Sequence, residues 1–239
     1  MTNTLAATPR LDKDGTVAVL YLGTGENRFN PDAVGEIQAL LDEVEGGDYT
    51  ALVTAAEGKI WSNGFDLPWV AERPEMAGRL LESGQELFAR VLTFPLPTVA
   101  AIQGHAFAAG MILALAHDLR VMRADRGYLC LPEVTFAGVF TPGNTDLLKA
   151  RMTPQVAHRA MVLGDRFNAP DALASALIDE ALPDDELLGR AVALAGSRGG
   201  YDRAGVTALK RSVYTGVLSS LSEPAPPEFV ELLTSVASR

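Results

Sequence analysis

The chain contains very little cysteine and no excess of positive charge, and each shortage restricts what the protein does. Cys130 is the only cysteine in 239 residues, so no intrachain disulfide forms, and we expect a reducing compartment, the cytoplasm. Cys130 lies in an apolar run with no base nearby in sequence, which favours a buried structural thiol. Lys and Arg number 20 against 30 Asp and Glu, a formal net charge of −10. Because nucleic-acid phosphates are bound by clustered Lys and Arg, a broad nucleic-acid-binding surface is excluded.

Long uninterrupted apolar runs are also missing from the sequence. The most apolar stretch, residues 98–116, contains Gln103, Gly104 and His105, which favours a buried core over a membrane span. The N-terminal residues contain no apolar segment of the secretory type, and the C-terminal residues match no targeting or lipidation motif. We therefore expect no membrane partner.

The distribution of hydrophobic residues predicts an α/β fold followed by a helical extension. Residues 1–15 are expected to form a frayed or edge segment, residues 56–70 a loop and residues 137–144 a Gly-rich loop. The predicted strands are 16–22, 51–55, 99–102 and 119–122, with a short extended piece at 178–182. The predicted helices are 31–46, 75–92, 111–117, 145–151, 154–163, 170–176, 184–197, 203–217 and 228–238. Strands and helices alternate in the first half only, which is typical of an α/β core with helices added at its end.

The central stretch of the chain predicts a site that stabilises negative charge. A buried strand at 99–102 is broken by Gly104, and Ala108-Ala109-Gly110 then opens the helix 111–117. Small residues at a helix start allow a ligand close to the backbone, and the first N–H groups of a helix have no partner inside it. Glu133, which follows Pro132, supplies a carboxylate for acid–base chemistry.

Three motifs, in order, resemble the crotonase (enoyl-CoA hydratase/isomerase) superfamily. Residues 62–67 (SNGFDL) resemble its first ligand-binding loop, and residues 103–110 (QGHAFAAG) resemble the Gly-rich turn that opens its central helix. Leu131-Pro132-Glu133, followed by Gly138 and Gly143, resembles its acidic motif at a strand end. The resemblance covers residues 14–215 and is greatest to plant-type Δ3,Δ2-enoyl-CoA isomerases. It implies a spiral of ββα turns with a helical C-terminal part, which we divide into a core of residues 1–195 and an extension of residues 196–239.

The resemblance also implies a chemistry and a set of site residues. The family acts on acyl-CoA thioesters, and two backbone N–H groups hold the thioester oxygen; here they are those of Phe65 and Ala109. Glu133 occupies the position of one catalytic glutamate of the hydratases, whereas Ile112 stands where they have a second. Water addition needs two carboxylates, but one base suffices to move a proton from C2 to C4. We therefore predict conversion of 3-enoyl-CoA to 2-trans-enoyl-CoA, in fatty acid β-oxidation.

Further residues are assigned to substrate binding on the same basis. They are Lys59, Ser62, Asn63, Gly64, Asp66, Leu67, Gly110 and Ile112. Lys59, Lys210 and Arg211 are candidates for contact with a CoA phosphate, with solvated side chains as the alternative. No metal and no separate cofactor is predicted, because coenzyme A enters as part of the thioester. The resemblance implies a homotrimer or a dimer of trimers.

Two other functions remain open at this stage. The first is an enoyl-CoA hydratase, or another crotonase reaction, with a second acid from elsewhere; Glu82 and Glu86 lie four residues apart on one helix face and are candidates. The second is an acyl-CoA-binding protein that retains the fold without catalysis. The sequence leaves open whether the C-terminal helix covers its own site or that of a neighbouring subunit.

Overall fold

The computed structural model describes residues 8–138 and 140–238, which form two sheets surrounded by helices. The strands are β1 (Arg10–Asp14), β2 (Val17–Tyr21), β3 (Ala51–Ala55), β4 (Ile60–Ser62), β5 (Thr98–Ile102), β6 (His105–Phe107), β7 (Leu119–Arg123), β8 (Leu129–Cys130), β9 (Arg166–Phe167) and β10 (Glu180–Leu182). The helices are α1 (Pro31–Gly46), α2 (Leu67–Glu72), α3 (Ala77–Leu92), α4 (Ala109–Ala116), α5 (Pro142–Arg151), α6 (Pro154–Met161), α7 (Ala169–Ala174), α8 (Asp184–Gly196), α9 (Arg203–Val213), α10 (Thr215–Leu221) and α11 (Pro227–Ala237). Short 3-10 helices span Pro74–Met76 and Pro132–Phe136.

The larger sheet has the strand order β1-β2-β3-β5-β7-β10, and the smaller sheet has the order β4-β6-β8-β9. Strands β2, β3, β5, β7 and β10 run parallel, and β1 pairs antiparallel with β2 at the edge. The chain alternates between the sheets, because β3 is followed by β4, β5 by β6 and β7 by β8, with helices after each pair. This is the predicted spiral of ββα turns.

Helices cover both faces of the larger sheet, so its inner strands β2, β3 and β5 are buried on both sides. On one face α8 packs against residues such as Val19, Val53 and Val99. On the other face α1, α3 and α4 enclose the main core, in which all eight residues of α4 are buried. The central helix α4 is therefore fixed by its neighbours along its whole length. Among the described residues, no helix is both long and apolar enough to cross a bilayer.

The predictions for the regular elements of the first half are confirmed, with shifts of at most two residues at their ends. Asn30 caps α1, since its side chain accepts a hydrogen bond from the Ala33 N–H at 2.9 Å. The edge segment predicted for residues 1–15 is β1 from Arg10 onward, while residues 1–7 lie outside the described residues. Residues 139 and 239, in the predicted Gly-rich loop and helical extension, also lie outside them. The domain boundary at 195/196 falls at the end of α8 and stays a prediction.

Two predictions for local structure were wrong. Residues 56–70 are not one loop, because they contain β4 and the start of α2. Residues 203–217 are not one helix, because the chain breaks at Tyr214 between α9 and α10. The Tyr214 hydroxyl accepts a hydrogen bond from Arg151 at 2.6 Å. The pairing of β4 with β6 and the hydrogen bond from Arg151 to Tyr214 are tertiary contacts, which local sequence patterns do not predict.

Two glycine substitutions test how closely Gly104, just before β6, approaches the backbone of Lys59, just before β4. A Cβ on Gly104 would lie 2.5 Å from the Lys59 carbonyl carbon, whereas a Cβ on Gly35, inside α1, would meet nothing within 4 Å. We expect Gly104→Ala to lower the free energy of unfolding by about 2–3 kcal/mol through overpacking against backbone. The matched Gly35→Ala should raise it by up to about 1 kcal/mol, since alanine is the better helix former. Urea unfolding measures both, and equal effects would contradict the close approach at Gly104.

Candidate active site

An apolar cavity of about 200 Å³ lies where the smaller sheet meets α4, and the C-terminal helix α11 covers it. Glu133 and Arg28 are the charged residues in its wall. Most of the others are apolar side chains from four parts of the chain. They are Phe65, Leu67, Leu81, Phe107, Ile112, Phe136, Phe140, Phe229, Leu232, Leu233 and Val236. Concave, mainly apolar cavities with a few polar groups are the usual form of small-molecule sites.

Glu133 is held in this wall by the 3-10 helix Pro132–Phe136. Pro132 begins the helix, and Ala137, at φ 57°, ends it in the left-handed region. The Gly138 N–H then donates to the Glu133 carbonyl at 2.8 Å, which closes the turn. The Glu133 side chain is 8% exposed, and its buried Oε2 accepts no hydrogen bond from the described residues. Burial raises the pKa of Glu133 to about 7, so it both accepts and releases a proton near neutral pH.

The second chemical feature is the start of α4. Ala108 adopts φ 50° and ψ −125°, a strained conformation for a residue with a Cβ. It is held by its N–H, which donates to the Cys130 carbonyl at 3.0 Å, and by its carbonyl, which accepts from the Ile112 N–H at 3.1 Å. This turn makes Ala109 the first residue of α4, and an N–H in that position has no carbonyl to bond within its helix. Ala109 lines the cavity.

Phe65 brings a second backbone N–H to the same place. The Phe29 N–H donates to the Gly64 carbonyl at 2.8 Å, and the Phe29 carbonyl accepts from the Asp66 N–H at 2.9 Å. Since successive residues of an extended segment direct their backbone groups to opposite sides, the N–H of Phe65 points away from Phe29. A Cβ on Gly64 would lie 2.9 Å from the Ala109 nitrogen, so the two segments lie almost in contact. Two such donors at one end of a cavity stabilise an oxygen that acquires negative charge.

Other residues of the predicted site shape the backbone outside the cavity. A Cβ on Gly110 would lie 2.5 Å from the Ser62 carbonyl oxygen, so glycine is required there. The Ser62 hydroxyl donates to the Asn27 carbonyl at 2.8 Å and accepts from the Gly64 N–H at 3.1 Å. Asp66 caps α2, accepting from the Trp69 N–H at 3.2 Å. These side chains build the loop that presents Phe65.

The structure thus places the predicted site residues in two groups. Those that line the cavity are Asn63, Phe65, Leu67, Ala109, Ile112 and Glu133. Those that lie beside it are Lys59, Ser62, Gly64, Asp66 and Gly110. Lys59 contributes its carbonyl, which accepts from the His105 N–H at 3.0 Å.

The alternative cations and acids named from the sequence lie away from the cavity. The Lys210 amine donates to Asp118 at 2.6 Å and to the Leu96 carbonyl at 3.1 Å, which ties α9 to the core. Arg211 is exposed on the same helix and is not in the cavity wall. Glu86 is exposed and accepts two hydrogen bonds from Arg79, and Glu82 does not line the cavity either.

Several residues of the cavity were missed by sequence reasoning. Arg28 precedes α1 in a loop, and nothing in the local pattern relates it to Glu133. Thr141 and Asn144, both buried, come from the start of α5. The sequence predicts the C-terminal helix α11 but not what its apolar side chains pack against. The structure shows that α11 covers the cavity of its own chain, where it packs against α2 and α3.

Cys130 and possible metal ligands complete the description of the site. Cys130 is buried, as expected, and burial raises the pKa of its thiol. Its Sγ lies 3.7 Å from the Gly164 carbonyl oxygen. In the described part of the chain, no group of three or more His, Cys, Asp or Glu side chains is arranged to hold a metal ion.

Sequence comparison relates the chain to acyl-CoA enzymes. A family model described as enoyl-CoA hydratase/isomerase matches residues 12–224. Enoyl-CoA delta isomerase 2, peroxisomal, of Arabidopsis thaliana is 37% identical over 186 residues, which cover 74% of this chain and 78% of the relative. Enoyl-CoA delta isomerase 3 of the same plant is 34% identical over 182 residues, covering 73% and 76%. The predicted resemblance to plant-type isomerases is confirmed.

Comparison with solved structures gives the same fold. A Mycobacterium tuberculosis protein, described as an enoyl-CoA isomerase in one structure and as a probable enoyl-CoA hydratase in another, is 26% identical in the first of these, with a TM-score of 0.84 and coverage of 96% of this chain and 98% of that chain. Human mitochondrial Δ3-Δ2-enoyl-CoA isomerase has a TM-score of 0.83 at 22% identity, covering 96% and 90%. At that identity the similarity to the human protein shows the fold alone.

The burial of Glu133 predicts a pH-dependent effect of Glu133→Gln on stability. In the unfolded chain the carboxyl loses its proton above about pH 4.5, whereas in the folded protein its pKa is about 7. Stability contributed by this group is thus fully present below pH 4.5 and lost as the pH rises through 7. Glutamine does not titrate, so the variant should gain about 3 kcal/mol relative to wild type between pH 4 and pH 8. Urea unfolding at both pH values measures this, with Glu86→Gln as the exposed control; a difference independent of pH would contradict the burial.

Proposed function

The chain belongs to the enoyl-CoA hydratase/isomerase family and is an acyl-CoA-processing enzyme, and from this premise we propose that it moves the double bond of 3-enoyl-CoA to the 2-trans position. The observation that carries the proposal is the composition of the cavity wall. Among the described residues it contains one carboxylate, Glu133, and it also contains Ile112, which occupies the position of the second glutamate of the hydratases.

In the proposed reaction the thioester oxygen is held by the N–H groups of Phe65 and Ala109. Glu133 removes a proton from C2, the C2–H electron pair forms the C1–C2 double bond of a dienolate, and negative charge collects on the thioester oxygen. Oxyanion donors of this kind are each worth about 3–4 kcal/mol of transition-state stabilisation. The dienolate collapses as Glu133 returns the proton to C4, which leaves the double bond between C2 and C3. The raised pKa of Glu133 suits a group that must accept a proton from C2 and then release one to C4.

Two features support acyl-CoA as the ligand. The apolar wall of the cavity, closed by α11, fits an acyl chain. Arg28, which forms an ion pair with Glu26, lies in the wall of this cavity, and we propose that it faces the anionic part of coenzyme A. The reaction would supply 2-enoyl-CoA for fatty acid β-oxidation. With a single buried cysteine, the chain suits a reducing compartment, and we keep the cytoplasm as the proposed location.

A paired assay tests the reaction. Purified wild-type protein should convert 3-enoyl-CoA to the conjugated 2-enoyl product and add water to 2-enoyl-CoA poorly or not at all. Glu133→Gln should lose isomerisation by about 10²–10⁴-fold, the range usual for general acid–base groups. Glu86→Gln, which removes a carboxylate outside the cavity, is the matched control and should retain activity. Its circular dichroism spectrum and that of Glu133→Gln should match wild type.

Other results of the same assay would overturn the proposal in distinct ways. Efficient hydration by wild type would mean that Ile112 does not decide the reaction. Near-full isomerisation by Glu133→Gln would remove Glu133 from the mechanism. Binding of acyl-CoA without either reaction would favour the non-catalytic alternative.

We also propose that the chain forms a homotrimer or a dimer of trimers. Leu209 and Val213 lie four residues apart on one face of α9 and are 70% and 73% exposed. Large apolar side chains exposed together commonly mark an interface.

Light scattering after size exclusion tests the assembly. Wild type should elute with the mass of three or six chains, and the double variant Leu209→Glu, Val213→Glu should shift toward one chain, because buried unpaired charges disfavour association. Ser212→Glu adds charge to the same helix outside this apolar pair and should leave the mass unchanged. A monomeric wild type would contradict the assembly, and an unchanged double variant would exclude α9 from the interface.

A further inference from the structure

Two unpaired acceptors line the same apolar cavity. Glu133 Oε2 and Asn144 Oδ1 are both buried, and neither has a hydrogen-bond donor within reach among the described residues. Asn144 is 4% exposed, and both residues belong to the cavity wall. Buried polar side chains are rarely left unbonded, because an unpaired group loses its hydration without compensation. The pair therefore calls for a ligand that donates to both.

The start of α5 holds Asn144 in a fixed place. Thr141 caps the helix, and its hydroxyl accepts from the backbone N–H of Asn144 at 3.3 Å, so the asparagine side chain is not needed for capping. A Cβ on Gly143 would lie 2.8 Å from the Leu221 Cα and the Ser220 carbonyl oxygen. Helix α10 thus packs directly on the first turn of α5. The Asn144 side chain is set into the cavity by a rigid frame.

We propose that Asn144 and Glu133 hold one water molecule between them, and that Asn144 is thereby a positioning residue for the Glu133 carboxylate. Water is the smallest molecule that donates two hydrogen bonds, and buried waters commonly bridge polar groups that lack protein partners. This inference rests on the proposed function of Glu133 but concerns a different residue and a different measurement.

The bound water has a consequence for the path of the proton. When Glu133 takes the proton from C2, the C2–H bond breaks and a carboxyl O–H bond forms. A water hydrogen-bonded to that carboxyl exchanges its hydrogen with it, so the proton that Glu133 then delivers to C4 comes partly from solvent. In D2O, part of the product should therefore carry deuterium at C4. Without the water, the carboxyl returns to C4 mainly the hydrogen it removed from C2.

Asn144→Leu tests this role, because leucine has a similar size and no polar atom. In D2O we expect the deuterium content at C4 of the product to fall at least three-fold relative to wild type. The acid limb of the kcat/KM profile should move to higher pH by up to about one unit, since the ionised carboxylate loses a donated hydrogen bond and its pKa rises. Lys149→Leu, which removes an exposed polar group from the same helix outside the cavity, is the matched control and should leave both quantities unchanged.

A high-resolution crystal structure of the unliganded protein is the second measurement, and it does not depend on turnover. It should show one water within hydrogen-bond distance of Asn144 Oδ1 and Glu133 Oε2. A direct hydrogen bond between the two side chains, or equal deuterium incorporation by wild type and Asn144→Leu, would overturn the inference. A wild type that fails to isomerise would sink the proposed function alone, because the crystallographic result would still decide whether the water is bound.

Discussion

The structure depends on a backbone-to-backbone approach between the loop after β4 and the start of α4. Gly64 and Gly110 permit it, since a Cβ on either would lie 2.9 Å or less from backbone atoms of the other segment. This approach brings the backbone before Phe65 against that of Ala109, and both residues line the cavity. It also requires Ala108 to hold a strained conformation, which the carbonyl of Cys130 and the buried helix α4 keep in place.

The same packing places the Glu133 carboxyl in the apolar wall of the cavity, away from water. A carboxylate in an apolar wall loses its hydration, and the free energy of that loss appears as a raised pKa. In a surface position the same residue would hold its negative charge at neutral pH and return a proton poorly. The folded state is therefore less stable near neutral pH than at acid pH, and the carboxyl exchanges its proton near neutrality.

The C-terminal helices complete the site from a distance. Lys210 donates to Asp118 and so fixes α9 to the core. Arg151 donates to the Tyr214 hydroxyl and so fixes the break between α9 and α10. The chain then continues through α10, which packs on α5 beneath Asn144, to α11, which covers the cavity. Lys210, which the sequence made a candidate for contact with coenzyme A, thus holds α9 against the core. Helix α9 leads in turn to the helices that close the cavity.

The sequence by itself determined the local features and the family. The buried strands, the cap at Asn30, the small residues before α4 and the carboxylate at Glu133 all follow from residue types and spacing, since each depends on near neighbours in the chain. What only the tertiary structure decided was which distant residues meet. The pairing of β4 with β6, the places of Arg28 and Asn144 in the cavity and the closure by α11 involve residues far apart in sequence. No local pattern encodes such contacts, because they arise from packing of the whole core.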